Sequence, residues 1–189
     1  MARELFKPKK RLKKVKSRLE SALSRYDRFS FKERLDRLRF LNEIYPRGLI
    51  FSADPETIFI FDELKNVYVS GGLISTIILS QALIERKLQI HFNHEGLGSV
   101  AKRGLKEMLS YGKKHGLINN YFFDRIDKLR RNRNPFMHLH PWNHEFTTTQ
   151  RFIKNAKKGK FARQPYDLLF DDAKESIRLA YAVFINDLK

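Results

Sequence analysis

Apolar residues recur at every third or fourth position along most of the chain and rarely alternate with polar ones. This spacing places them on one face of an α-helix, whereas a half-buried β-strand requires alternation. The pattern predicts helices over residues 9–24, 30–45, 54–70, 73–92, 99–114, 119–133 and 167–189. We therefore predict an all-α helical bundle, with the helix over 73–92 at its centre because that helix is apolar on most sides.

Residues that favour helix ends mark several of these boundaries. Ser30 is predicted to cap the second helix with its hydroxyl, because Glu33 completes a capping box. The third helix is predicted to begin at Ser52 or Asp54 and to stop at Gly71-Gly72. The other boundary residues are Pro46 and Gly48 after the second helix, Gly116 after the fifth, and Asn119 or Asn120 before the sixth.

A proline just after the sixth predicted helix indicates a helix boundary. Asn134 precedes Pro135, and a residue before proline avoids the helical conformation. We therefore expect Asn134 to cap a new helix that begins at Pro135, with His138 in its first turns. Residues 141–165 are predicted to form a loop, in which residues 147–149 are a candidate for a short strand. The predicted organisation is a basic helical N-terminal extension over 1–50 and a helical domain over 51–189, with a basic loop at about 141–166.

Charge separates the chain into distinct blocks. The 189 residues carry a formal net charge of +17, and residues 1–40 and 101–165 contribute +10 and +12 of it. Positive blocks of this density attract polyanions, with nucleic acid first among them. The chain has no cysteine, which excludes disulfides, iron–sulfur clusters and thiolate zinc sites.

One polar cluster has residues suited to phosphate chemistry. Arg133 is a permanent cation with a fixed fork of donors, which can hold a phosphodiester and stabilise its developing charge. His138 lies five residues later, and an imidazole can exchange a proton near neutral pH. Because RNA carries its own nucleophile in the 2′-hydroxyl, a positioned base and an anion clamp could cut RNA without a metal or another cofactor.

Other interpretations of the same residues remain open. His138 can serve only as a cap or packing group, with Arg133 paired to a carboxylate. The looser registers Arg131 to His138 and Arg133 to His140 are also available. A zinc site built from imidazoles is the main alternative chemistry, and its candidates are His138, His140 and His144, with His91 and His94.

The cluster resembles the motif of the HEPN superfamily (higher eukaryotes and prokaryotes nucleotide-binding), an Arg and a His separated by four to six residues. Leu129, Arg130, Arg133, Asn134 and His138 match its fuller form, Leu-Arg-x-x-Arg-Asn-x-x-x-His. The resemblance extends over roughly residues 55–140 and 167–189. Pro135 departs from the family pattern at a position where many members have an ordinary residue.

This resemblance implies a function. HEPN domains are short α-helical bundles that usually dimerise, so that two motifs face each other in a composite cleft. Active members are metal-independent endoribonucleases, often in toxin–antitoxin or phage-defence systems, and some members bind without cutting. Arg133 and His138 would be the catalytic pair, Asn134 would orient the site, and Glu85 would support it from an earlier helix. The implied partners are RNA, a second copy of the chain and an antitoxin or other protein.

A wider set of basic residues is predicted to bind RNA, because cations follow a phosphate chain and the interleaved aromatics can stack on unpaired bases. This set comprises Arg130, Arg131, His140, Arg151, Lys154, Lys157, Lys158 and Lys160. The start of the chain shows no secretory signal, and we expect a cytoplasmic protein. The uncharged run over 66–84 is interpreted as a buried helix and its preceding turn, not as a membrane span.

Overall fold

The computed structural model describes residues 9–45, 54–159, 164–186 and 188, with side chains from residue 17 onward. Within these ranges every regular element is a helix, which confirms the predicted all-α fold. The helices are α1 (Lys9–Ile44), α2 (Pro55–Ser70), α3 (Leu73–His94), α4 (Gly98–Ala101), α5 (Leu105–Lys114), α6 (Asn120–Met137), α7 (Thr148–Lys157) and α8 (Pro165–Ile185). None of the described helices is long and apolar enough to cross a membrane.

Helix α3 is the centre of the core, as its apolar composition predicts. It packs against α2, α4, α6 and α8. Its fully buried side chains are Ile77, Leu83, Ile84, Leu88 and Phe92, and those of α8 include Ala173, Ile177, Ala180 and Val183. Because α3 and α8 share the most extensive contact, these two helices form the base on which α6 and α7 are placed.

Helix α1 is 36 residues long, and among its described side chains, from residue 17 onward, those that join the core lie near its C-terminal end. Phe40 and Leu41 are buried there, whereas Leu19 and Leu23 are exposed. The prediction of two separate N-terminal helices was wrong. Ser30 does not begin a helix, because its hydroxyl instead donates to the carbonyl of Tyr26 one turn earlier and the helix continues through it.

The turn between α2 and α3 explains how α1 is held. Gly71 has a φ of +89°, and its N–H donates to Tyr68 while that of Gly72 donates to Val67, which together form a Schellman-type helix end. The guanidinium of buried Arg37 lies against Gly71, where an added Cβ would be only 3.2 Å away. Arg37 also donates from Nε to the Val69 carbonyl at 3.0 Å, so that it fastens α1 to the end of α2.

Several predicted helix starts and stops are confirmed. Asp54 caps α2 ahead of Pro55, and its carboxylate accepts from the Thr57 N–H at 3.0 Å. Asn119 caps α6 in the same way, through the N–H of Phe122. The predicted helix over 99–114 is instead two helices, α4 and α5, because the chain breaks at Gly104 and Glu107 caps that break. Pro46, Gly48 and Ser52 lie outside the described residues.

The largest correction concerns the segment after Leu129. Helix α6 continues through Asn134 and Pro135 to Met137, so the predicted new helix at Pro135 was wrong. Pro135 is tolerated because it lies in the last turn, where only the hydrogen bond to the Arg131 carbonyl is lost. The predicted loop over 141–165 contains α7, and Thr147 is the N-cap of that helix instead of part of a strand.

Candidate functional site

The apolar face of α6 determines where its polar residues lie. One face of α6 packs on the core through three buried residues at helical spacing, Phe122, Ile126 and Leu129. Continuing the same line by one turn brings positions 132 and 133 to the buried side. Asn132 is 8% exposed, and the Nε atom of Arg133 is also buried. The end of α6 therefore holds polar groups against the core.

Arg133 differs from the other arginines near it. Its buried Nε has no hydrogen-bond partner, and its side chain forms no ion pair with any described residue. Arg130 donates from Nε to Asp127 at 2.9 Å, and Arg131 reaches the other oxygen of Asp127 at 3.0 Å. Arg133, the predicted phosphate clamp, is thus the arginine at this end of α6 that has no carboxylate partner among the described residues.

His138 ends α6 as its C-cap and is exposed. Its backbone N–H donates to the Asn134 carbonyl at 2.9 Å, and its φ of −132° and ψ of 142° are extended instead of helical. Four residues lie between Arg133 and His138, so their α-carbons are about 7.5 Å apart along the helix axis. Both residues lie at one end of α6, where the Arg133 Nε is buried and His138 is exposed.

The asparagine that makes tertiary contacts is Asn132 and not Asn134. Its Nδ2 donates to Asp172 of α8 at 3.2 Å, and Asp172 also accepts two hydrogen bonds from Arg151 of α7. Asn134 is half-buried, and its side chain makes no hydrogen bond with the described residues. Asn132, Asp172 and Arg151 connect α6, α7 and α8 in one polar network beside the candidate pair.

The predicted RNA-binding residues divide into paired and unpaired groups. Arg130 and Arg131 share Asp127, and the Arg131 guanidinium also lies 5.5 Å from the centre of the Phe146 ring. Arg151 is held by Asp172 and is largely buried. The exposed, unpaired cations are Lys154, Lys157 and Lys158 on and beside α7. Lys160 lies outside the described residues.

Glu85 is half-buried on α3, which packs against α6. No hydrogen bond or ion pair connects it to Arg133 or His138. The resemblance implies that Glu85 supports the candidate pair, but Glu85 makes no such polar contact with either residue of that pair.

The histidines of the α6–α7 connection lie close together. The rings of His140 and His144 are 4.2 Å apart between centroids, and the ring of His144 is 5.7 Å from that of Phe146. Within the described parts of the chain, no group of three or more His, Asp and Glu side chains is placed to hold a metal ion. The alternative of an imidazole zinc site receives no support from this geometry.

Two acidic residues decide the electrostatics of this region, and the sequence interpretation missed both. Asp127 is four residues before Arg131, so helical i,i+4 spacing was the available signal. Asp172 is 40 residues from Asn132 and 21 from Arg151, and no local pattern indicates those contacts. The burial of Asn132 could have been found by extending the Phe122–Ile126–Leu129 stripe by one turn.

Comparison with known proteins adds no assignment. No family model, no curated protein and no solved structure matches the chain at a significant level. The resemblance to HEPN domains therefore stays a prediction from the sequence motif.

Proposed function

We propose that the protein is a metal-independent endoribonuclease that acts as a homodimer. Arg133 would hold the scissile phosphate, and His138 would move a proton to or from the reacting oxygens. The observation that carries this proposal is the unpaired Arg133, whose Nε is buried without a partner while neighbouring Arg130 and Arg131 are satisfied by Asp127. A buried donor without a partner is costly, and a bound phosphate oxygen would satisfy it.

The proposed reaction balances without a metal. The RNA 2′-oxygen attacks phosphorus and loses its proton, while the 5′-oxygen leaves and gains one. The products are a 2′,3′-cyclic phosphate and a 5′-hydroxyl, and addition of water to the cyclic phosphate gives its opened form. One group accepts a proton and another donates one, and the two copies of His138 in a homodimer can fill these two roles.

The different burial of the two residues favours a site completed by a second copy. The Arg133 Nε is buried, whereas His138 is exposed at the end of α6. An exposed histidine can reach a phosphate that is held by the arginine of a neighbouring protomer. The homodimer is therefore part of the proposal.

A non-catalytic RNA-binding module is the second candidate. The observation that favours it is that the His138 side chain makes no hydrogen bond with any described residue, so nothing fixes the tautomer or orientation of its imidazole. Both candidates require affinity for RNA that falls steeply with added salt.

Incubation of the purified protein with mixed RNA in EDTA separates these candidates. We expect cleavage in EDTA with cyclic-phosphate ends, and loss of cleavage with retained RNA binding in the R133A/H138A variant. The matched control is R103A/H94A, which removes the same two side-chain types from exposed positions elsewhere. Cleavage that is lost in EDTA and restored by a divalent metal would refute the metal-free mechanism. Binding without cleavage across a broad RNA panel would favour the second candidate.

A further inference from the structure

The side chain of Trp142, four residues after His138, is exposed to solvent. Trp142 is 79% exposed, and neighbouring Met137 and Leu139 are exposed as well. Four residues of chain span at most about 14 Å, so the backbone of Trp142 lies within about that distance of His138. Large exposed apolar side chains that cluster in this way commonly mark a binding surface.

The backbone that carries Trp142 is held in place. Its carbonyl accepts from the Gln150 side-chain amide at 3.4 Å and lies 3.4 Å from the Thr147 hydroxyl, which donates to the closer His144 carbonyl at 2.9 Å. The same turn contains a hydrogen bond from the His144 N–H to the Pro141 carbonyl at 2.9 Å. Because Thr147 is the N-cap of α7, the backbone at Trp142 is joined to the start of that helix.

A line of positive charge leads away from this position. Lys154, Lys157 and Lys158 are exposed along and beside α7 and form no ion pair with described residues. They lie about 10 to 16 Å along the helix axis from its cap. A stacking surface next to a row of unpaired cations is the arrangement that binds a single nucleic-acid strand, with bases on the aromatic ring and phosphates on the lysines.

We propose that Trp142 is a base-stacking platform that makes single-stranded RNA the substrate class. This inference rests on the proposed function and deepens it. In a duplex the bases are stacked on one another and their faces are covered, so an exposed indole gains nothing from an intact helix. In a single strand the base beside the scissile phosphate can stack on Trp142 while the chain continues over α7.

The test uses the fact that Trp142 is the only tryptophan of the chain. Its fluorescence is measured on the full-length protein during titration with a short 2′-O-methyl RNA, which lacks the free 2′-hydroxyl and is not cut. The same sequence is then titrated as a blunt duplex. We expect quenching by the single strand and little change with the duplex. Equal quenching by both, or none by either, would overturn the inference.

Substitution provides the second measurement. W142A is expected to weaken single-strand binding by about 5-fold to 150-fold in a labelled-oligonucleotide assay, because stacking on one base has that value. W142F retains a ring and should recover most of the affinity. The matched control is Y121A, which removes another exposed aromatic from the opposite end of α6 and should leave the affinity unchanged.

Further outcomes separate this inference from the proposed function. Quenching by the single strand without cleavage of unmodified RNA would refute the nuclease and retain the stacking platform. If the wild type cleaves single strands and W142A binds and cleaves them equally well, the nuclease is retained and the stacking platform is refuted. Fluorescence that changes with protein dilution, and not with oligonucleotide, would place Trp142 in contact with a second copy and overturn the inference.

Discussion

Arg151 of α7 donates two hydrogen bonds to Asp172 of α8, one of them at 2.8 Å from Nη2 to Oδ1. The Asp172 side chain is 10% exposed and that of Arg151 is 19% exposed, so both members of this ion pair are largely shielded from solvent. The Asp172 carboxylate also accepts a hydrogen bond from the Asn132 amide of α6. Arg151, which the sequence groups with the RNA-binding cations, is therefore committed to holding the helices together.

Replacing Arg151 tests this commitment. R151A is expected to lower the free energy of unfolding by about 2 to 3 kcal/mol, because it leaves a largely buried carboxylate without its charged partner. Denaturant unfolding measures the effect. The control is R178A, whose partly exposed pair with Glu175 should contribute less than about 1 kcal/mol. A stable R151A protein with a reduced salt dependence of RNA binding would instead show that Arg151 contacts RNA.

The two asparagines of the repeated Arg-Asn dipeptide should behave differently. N132A is expected to cost about 1.5 to 3 kcal/mol of stability, because it removes a hydrogen bond to the charged Asp172. N134A should change stability by less than about 0.5 kcal/mol, since its side chain makes no hydrogen bond with described residues. Under the proposed function, N134A lowers cleavage at unchanged stability. If N132A lowered cleavage and N134A lowered stability, the motif would be used in its other register, with Arg131 and Asn132 in place of Arg133 and Asn134.

The unpaired lysines should determine the salt dependence of RNA binding. K154Q/K157Q/K158Q is expected to lower the slope of log K against log salt by about 2, because each lost contact to a single strand removes about 0.7. Affinity measured over a salt series checks this. The matched control is K102Q/R103Q/K106Q, which removes the same charge from exposed positions on another surface. An equal effect of both triple variants would indicate attraction by net charge alone.

Deletion of residues 1–24 should leave a folded protein. The described side chains that this removes include exposed Leu19 and Leu23, and the contacts of α1 with the core begin near Arg37. We expect circular dichroism of the truncated protein to show a cooperative unfolding transition, and the salt slope of RNA binding to fall by a few units, at about 0.7 per contact. L19S/L23S keeps the charges and should keep the slope. Loss of the transition on truncation would place the α1 stripe in the core.

Asp54 should contribute an acid-sensitive part of the stability. Hydrogen bonds from the Thr57 N–H and hydroxyl, together with Arg86, hold the pKa of Asp54 well below its usual value of 3.8. A carboxyl with a lowered pKa in the folded state stabilises above its unfolded pKa, and this contribution is lost as the pH falls below it. D54N keeps an N-cap side chain but does not titrate.

Unfolding measured between about pH 5 and about pH 2 should therefore show a smaller acid loss of stability in D54N than in the wild type. The difference between the two proteins should still be changing at the acid end of that range, because the pKa of folded Asp54 lies below it. Parallel curves for the two proteins across the whole range would show that Asp54 titrates normally.

Sequence by itself determined the parts of this protein that depend on neighbours within about four residues. The caps at Asp54 and Asn119 and the end of α2 at Gly71 are local, because a side chain or a positive φ closes each helix end. The apolar spacing that forms α3 is local in the same sense. Local rules failed at Pro135, where the signal for a new helix was overridden and α6 continued for one more turn.

Only the tertiary structure decided the charge contacts that no local spacing indicates. Asp172 reaches Arg151 across 21 residues and Asn132 across 40, and those contacts give an acidic partner to one predicted RNA-binding cation and to one of two asparagines. Arg133 stays unpaired because no described carboxylate is brought to it, although it has the same residue type as Arg130 and Arg131. An ion pair depends on the distance between two groups in space, and that distance is set by the packing of α6, α7 and α8.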